Sequence, residues 1–428
     1  MKMNIRKTLF VSLFLTGLMM ITSCGYEPIF YGIMHDVAPE KATVSGNIIS
    51  IARCQVNGEE YLFLNGDGAL MYKKLSSNTH GEWNTYSRLP FSLHHYNYFP
   101  DSTEGEGHIG HQILEVISDK DNIYMLTATV RIDNQYGIDL PEQFYLWSHP
   151  LNNLFTDTSA GWKNITEGAE KDLFISKYDT ENGEFNTSFY LFSTNTPKPE
   201  HRKAYLRVTK TTDDGNTIDE YYTLNGQTNC PPLKDESIGT TNYVTTLEGN
   251  TRVNSAFYIG NTLFFSDSLS VTTNETANNA ATFACMAGVN SSYNATKTLY
   301  LYEGTELQQI LNSSSTISSL ALTADSLIIG NGNYNSSYTS NGGIERVLLD
   351  TDGKPENKTS EFTNNAKYQF TSAYILMTLL CADPTKTEAE ACLYATISYR
   401  GTSSSTSASP KDVGLWSYYP SRGNWNRE

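Results

Sequence analysis

The sequence predicts an all-β protein, specifically a β-propeller of six four-stranded blades. Three observations predict it. The 428-residue chain is rich in strand formers, with 28 Tyr and 18 Phe. A short apolar phrase recurs six times, its starts separated by 62, 66, 73, 64 and 66 residues. A longer phrase also repeats: VGLWSYYPSRGNWN (Val413–Asn426) echoes ALMYKK…GEWNTY (Ala69–Tyr86) and QFYLWSH…GWKNIT (Gln143–Thr166). In each, an aromatic strand leads through a turn to Trp and then Asn.

The recurring phrase is EYLFLN (Glu60–Asn65), NIYMLT (Asn122–Thr127), SFYLFS (Ser188–Ser193), NTLFFS (Asn261–Ser266), DSLIIG (Asp325–Gly330) and ACLYAT (Ala391–Thr396). It is nearly all apolar, as a strand covered on both faces must be. It is assigned to the second strand of each blade. The run before it is lighter in bulk and suits the innermost strand: Asn47–Arg53, Gln112–Ser118, Lys171–Lys177, Val253–Ile259, Ile317–Thr323 and Thr371–Met377. A third run follows: Ala69–Lys74, Gln143–His149, Lys203–Val208, Lys297–Glu303, Gly343–Leu349 and Val413–Tyr419. Trp83, Trp162 and Trp425 mark the outer strand in three units. Tyr221–Leu224, Leu307–Leu311 and Ser360–Thr363 are its counterparts in the others. Six units of four strands make six blades; further strands from residues 225–250 or from the N-terminal tether would make seven. A pair of β-sandwiches would need a linker near the middle, and there is none.

The start of the chain has a different character. Lys2, Arg6 and Lys7 precede an apolar stretch, Thr8–Ile21, shorter than the ~20 residues that span a bilayer. It ends in Ile21-Thr22-Ser23-Cys24-Gly25. This resembles the lipobox of bacterial lipoproteins. The resemblance implies that residues 1–23 are a signal peptide, that Cys24 becomes the acylated N-terminus, and that the protein is held on a membrane outside the cytoplasm, in the cell envelope. Several acyl chains on one Cys hold a protein stably where one chain does not. Residues 24–43 read as a tether and 44–428 as the propeller, with a monomeric body.

Formal net charge is −16, which disfavours nucleic acid as a partner, since phosphates call for Lys and Arg. Five cysteines remain besides Cys24, without zinc spacing. Export permits disulfides, and Cys381 and Cys392 flank a turn between two strands, so they are a candidate pair; two separate buried thiols are the alternative.

Most of the irregular length is expected on one face, in the second-to-third strand links Arg131–Glu142, Thr194–Arg202, Asp267–Thr296, Asn331–Gly342 and Gly401–Asp412, and in the inter-blade links Pro90–Gly110 and Asn225–Thr251. Long loops on a rigid frame are where binding usually resides. Tyr293, Tyr334 and Tyr338 are the ligand-face candidates. Gly401–Pro410, GTSSSTSASP, reads as a solvated insertion. Pro90–His111 holds His94, His95, His108 and His111 with Asp101, Glu104 and Glu106. Imidazole and carboxylate together suit a transition metal. A polar loop packed on its blade is the stronger reading, so no metal or other cofactor is assigned.

Thr211-Thr212-Asp213-Asp214-Gly215-Asn216-Thr217-Ile218 resembles the Asp box of sialidase-type propellers, with Ile218 in place of the closing Trp. That box is a folding turn between the third and fourth strands and carries no catalysis. No G-x-S-x-G, H-E-x-x-H or Gly-rich phosphate loop is present, and no catalytic residue is assigned. The functional expectation is a membrane-anchored, non-enzymatic propeller binding a protein or glycan ligand. A glycan-active enzyme and an outer-membrane assembly scaffold are the alternatives.

Overall fold

The computed structural model describes residues 44, 48, 50–66, 69–75, 83–93, 110–133, 138–157, 161–166, 178–179, 184–185, 187–193, 199–211, 217–227, 238–247, 250–259, 262–265, 268–274, 281–287, 295–303, 306–312, 317–331, 343–356, 360–362, 375–381, 383–399 and 414–428. Residues 1–43, expected as signal peptide and tether, lie outside them. Two units divide the chain, Met1–Ala42 and Thr43–Glu428; everything below concerns the second.

Antiparallel sheets follow one another along the chain, and each keeps its strands in sequence order. The first contains β1 (Ile51–Val56), β2 (Glu59–Gly66), β3 (Ala69–Lys74) and β4 (Asn84–Thr85). The second contains β5 (Gly110–Ser118), β6 (Asn122–Asp133), β7 (Ile138–Pro150) and β8 (Lys163–Asn164). A two-stranded pair, β9 (Tyr178–Asp179) and β10 (Glu184–Phe185), precedes a three-stranded sheet of β11 (Thr187–Ser193), β12 (Ala204–Thr211) and β13 (Thr217–Leu224). Another three-stranded sheet holds β14 (Ile238–Leu247), β15 (Asn250–Ile259) and β16 (Thr262–Phe265). Three four-stranded sheets complete the series: β17 (Ser268–Asn274), β18 (Ala281–Ala287), β19 (Ala295–Glu303), β20 (Glu306–Asn312); β21 (Ile317–Leu322), β22 (Ser326–Asn331), β23 (Gly343–Leu348), β24 (Ser360–Glu361); and β25 (Ile375–Cys381), β26 (Leu393–Tyr399), β27 (Gly414–Tyr419), β28 (Asn424–Arg427). Successive four-stranded meanders packed face to face are the β-propeller plan.

Local chemistry explains the hairpins. Asn57 and Gly58 both take positive φ, 52° and 83°. That is the two-residue turn whose twist matches the flanking strands, and Asn-Gly is its preferred pair. The turn at residues 420–423 closes on Gly423 at φ 65°, with Arg422 and Gly423 donating to the Tyr419 carbonyl.

The core lies between sheets. Phe63 and Leu70 of the first sheet pack with Ile113, Val116, Met125 and Trp162 of the second. Leu126, Phe144 and Leu146 pack with Phe189, Leu191, Leu206 and Tyr222 of the β11–β13 sheet. Ile328 and Phe362 pack with Leu393, Ala395 and Trp425, and Trp416 lies against that cluster, as expected for a side chain between blades. The first and last sheets also share a core: Leu62, Leu64, Met71 and Trp83 meet Tyr394, Leu415 and Tyr419. Val44 donates to the Glu428 carbonyl across this junction at 3.1 Å.

Four expectations change. Lys171–Lys177, expected as an innermost strand, lies outside the described residues. Beside it, β11 was expected second in its blade; among the described residues it is the edge strand of its sheet and contacts β5. Glu115 of β5 accepts from the Leu191 amide of β11, and farther along both chains Lys120 donates to the Arg202 carbonyl. The 194–202 link therefore meets the 119–121 turn. Strand β19 pairs with β18, not with β16, because the stretch expected as a loop over 267–296 supplies β17 and β18. Likewise the 225–251 link supplies β14, which pairs with β15 over ten residues. Both stretches are rich in Thr and Ser, which mask an alternating strand pattern. Finally, the link at 131–142 is largely an extension of the β6–β7 hairpin, paired out to Asp133 and Ile138.

The turn that resembles an Asp box joins β12 to β13, whose pairing starts at Thr211 and Thr217. No helix among the described residues is long and apolar enough to cross a membrane.

Candidate functional site

Strand alternation puts Tyr61 and Phe63 on one face of β2, and Tyr72 sits opposite Phe63 on β3. Tyr86 and Arg88 follow β4. From the second sheet, the segment after β7 turns through a short 3-10 helix at Leu151–Asn153 and presents Phe155. Its ring lies 4.9 Å from Tyr61, 5.0 Å from Tyr72 and 6.1 Å from Phe63, centroid to centroid. Tyr86 fixes this segment by donating to the Leu154 carbonyl at 2.8 Å. Arg88 Nη1 donates to the Phe155 carbonyl and to the Asp157 carbonyl at 3.0 Å.

An open pocket of about 410 Å³ is lined by Tyr61, Tyr72, Thr85, Tyr86, Ser87, Arg88 and Phe155. That volume falls in the range of small-molecule sites, about 300–1,000 Å³. The lining combines aromatic rings, two aliphatic hydroxyls and one guanidinium. Among the described residues Arg88 is the only charged one that lines it, and none contributes a carboxylate.

A second aromatic group lies on the second sheet. His111 stacks on Phe91 at 4.4 Å and lies 4.9 Å from Tyr145 and 6.0 Å from Trp147. Thr127 Oγ1 is 3.1 Å from His111 Nδ1 and accepts from Trp147 Nε1 at 3.0 Å. Burial lowers the His111 pKa to about 4, so the ring is neutral at pH 7. Its described neighbours are aromatic and hydroxylic. Among the described residues no group of three His, Cys, Asp or Glu is placed to hold a metal. His94, His95 and His108 lie outside the described residues.

Two ionic centres bind sheets together. Glu60 receives Arg53 Nε at 2.9 Å and Arg202 Nη2 at 3.3 Å, joining the first sheet to the link after β11. Lys73, 2% exposed in its side chain, pairs with Glu428 at 3.3 Å. Tyr419 accepts from Lys73 Nζ at 2.6 Å, and Trp83 Nε1 donates to Glu428 at 3.0 Å. Near the inner strands, burial pushes the Glu115 carboxyl up to about 7, opposed by the Leu191 amide. Its oxygen accepts the Leu191 N–H of β11.

Of the residues singled out from sequence, Cys24, Tyr293, Tyr334 and Tyr338 lie outside the described residues. The hairpin expected around Cys381 and Cys392 is present: β25 pairs with β26, Cys381 opposite Leu393. Cys392 is buried, and the Cys381 side chain lies outside the described residues. The pocket residues escaped sequence reasoning. The available signal was Tyr61 and Phe63 at i, i+2 in one strand, with Tyr72 and Tyr86 following in the same unit.

No family model matches the chain, and no curated protein matches it. Among solved structures, it is similar to the uncharacterized protein lmo1340 from Listeria monocytogenes EGD-e, with 9% identity over 90% of this chain and 97% of that one, TM-score 0.38. The β-propeller domain of the Trilobed protease from Pyrococcus furiosus has 8% identity over 74% and 84%, TM-score 0.35. An exo-1,5-α-L-arabinanase from a bovine ruminal metagenomic library has 10% identity over 74% and 97%, TM-score 0.31. Likeness at this level adds nothing to the sheet order, so the assignment rests on the strands themselves: the body of this chain is an all-β propeller.

Proposed function

We infer that this chain is an exported lipoprotein, acylated at Cys24, whose propeller binds a saccharide without transforming it. The observation that carries the binding reading is the pocket formed by Tyr61, Tyr72 and Phe155 with Thr85, Ser87 and Arg88 around it. Saccharides present C–H faces that lie against aromatic rings and hydroxyls that need polar partners at the rim. A rigid frame supplies the rings at little entropic cost, because Tyr61 and Tyr72 stand on paired strands. Among the described residues no pair of facing carboxylates of the kind glycoside hydrolysis uses lines this pocket.

Two measurements test this. Screening the purified protein on a glycan array, beside Tyr72→Ala, should give saccharide signals that the variant loses. An array with no signal above background would end the binding reading. Intact mass of the membrane-extracted protein should show the chain starting at Cys24 with acyl groups attached. An unmodified Cys24 within a longer chain would end the anchor reading.

A further inference from the structure

We propose that the pocket between the first two sheets selects an acidic saccharide, a uronate-type sugar, through Arg88. This rests on the saccharide-binding reading above and adds the charge of the ligand. Three features carry it.

The first is charge. Arg88 is the only charged residue among the seven described residues that line the pocket, in a protein of formal net charge −16. A lone cation in an acidic protein marks the place where an anion is favoured. Asp157 contributes its backbone carbonyl to Arg88, and its carboxylate lies beside Gly161 and the His149 ring: a Cβ built on Gly161 would meet Asp157 Oδ2 at 2.6 Å and His149 Nε2 at 2.4 Å.

The second is orientation. Both carbonyl contacts use Nη1, which holds the guanidinium in place although the residue is exposed. The opposite edge, Nε and Nη2, carries two parallel donors. That spacing matches the two oxygens of a carboxylate. A guanidinium already anchored loses less freedom on pairing than a mobile lysine would.

The third is the rest of the lining. Tyr61, Tyr72 and Phe155 offer ring faces, and Thr85 and Ser87 offer hydroxyls. A small inorganic anion would use neither. A ligand with a carboxylate, an apolar ring face and hydroxyls uses all three, and a uronate has them on one pyranose.

The test is calorimetric titration of the acylated full protein in detergent micelles. The probes are an α-1,4-galacturonate tetrasaccharide, its methyl ester and an acidic tetrapeptide, with Arg88→Gln and Tyr72→Ala as variants and melting used to confirm that each folds. The expected result is binding of the uronate at least about tenfold tighter than its methyl ester. Arg88→Gln should bring the acid-to-ester affinity ratio to about one, whatever it does to the absolute affinity of both, and Tyr72→Ala should weaken both saccharides. Equal affinity for acid and ester, or a difference that persists in Arg88→Gln, refutes the acidic preference and leaves the saccharide reading standing. No binding of either saccharide refutes the saccharide reading itself. A peptide that binds more tightly than the uronate refutes the sugar class.

Discussion

Lys73 Nζ lies 3.3 Å from Glu428 Oε1, so a side chain on the first sheet closes a buried ion pair with one beside the last strand. Three aromatic rings surround the ammonium: Trp83 at 5.6 Å, Tyr394 at 5.4 Å and Tyr419 at 5.3 Å. Burial lowers the Lys73 pKa, with Glu428 opposing that shift. Removing one partner strands the other in an apolar site. Lys73→Met or Glu428→Leu alone should therefore cost about 3–5 kcal/mol, and the double variant much less than their sum. A urea-melt double-mutant cycle checks this; additive costs would mean the two groups do not couple.

Trp425 is 2% exposed, whereas Trp416 is half-buried against the same cluster. Trp425→Ala should destabilise by about 3–5 kcal/mol and Trp416→Ala by about half as much. Thermal melts of the two variants give the order, and a reversed order would contradict the inter-sheet packing.

Glu115 provides a pH test. Its folded pKa is raised from 4.5 to about 7. The stability it contributes is fully present below the unfolded value and is lost as pH rises through 7. Glu115→Gln keeps an acceptor for the Leu191 amide and removes the charge. It should be more stable than the native protein by about 1–2 kcal/mol at pH 8, and equal to it near pH 4. His111 acts in the opposite sense: its pKa falls from 6.5 to about 4, so its contribution is lost as pH falls across that window. His111→Phe should flatten the acid limb of the stability profile, as measured by melts between pH 4 and 7.

Cys54 is a buried free thiol. Burial pushes its pKa up to about 12, against a hydrogen bond from Ser118. It should resist a thiol reagent at pH 8 in the native protein and react at the rate of unfolding. Reaction at the speed of a model thiol would contradict its place in the core.

Much of the fold was legible because strand phrases with large apolar side chains announce themselves. Phe63, Leu126, Ile328 and Tyr394 each lie in the recurring phrase and each is buried. The signal failed where Thr and Ser replace them: β14 and β17, IGTTNYVTTL and SLSVTTN, read as loop. The pocket was illegible for another reason. Tyr61, Tyr72 and Tyr86 share a unit, but Phe155 arrives from the neighbouring one, and no local pattern encodes which sheet faces which. His111 makes the same point: its neighbours Phe91, Tyr145 and Trp147 come from separate stretches and are visible only in three dimensions.

The most direct test of the binding account is a crystal structure of the propeller with the galacturonate tetrasaccharide. The predicted result is a pyranose against Tyr61 and Tyr72, with its carboxylate on Arg88. Saccharide bound elsewhere, with the Tyr61–Phe155 pocket empty, would contradict it.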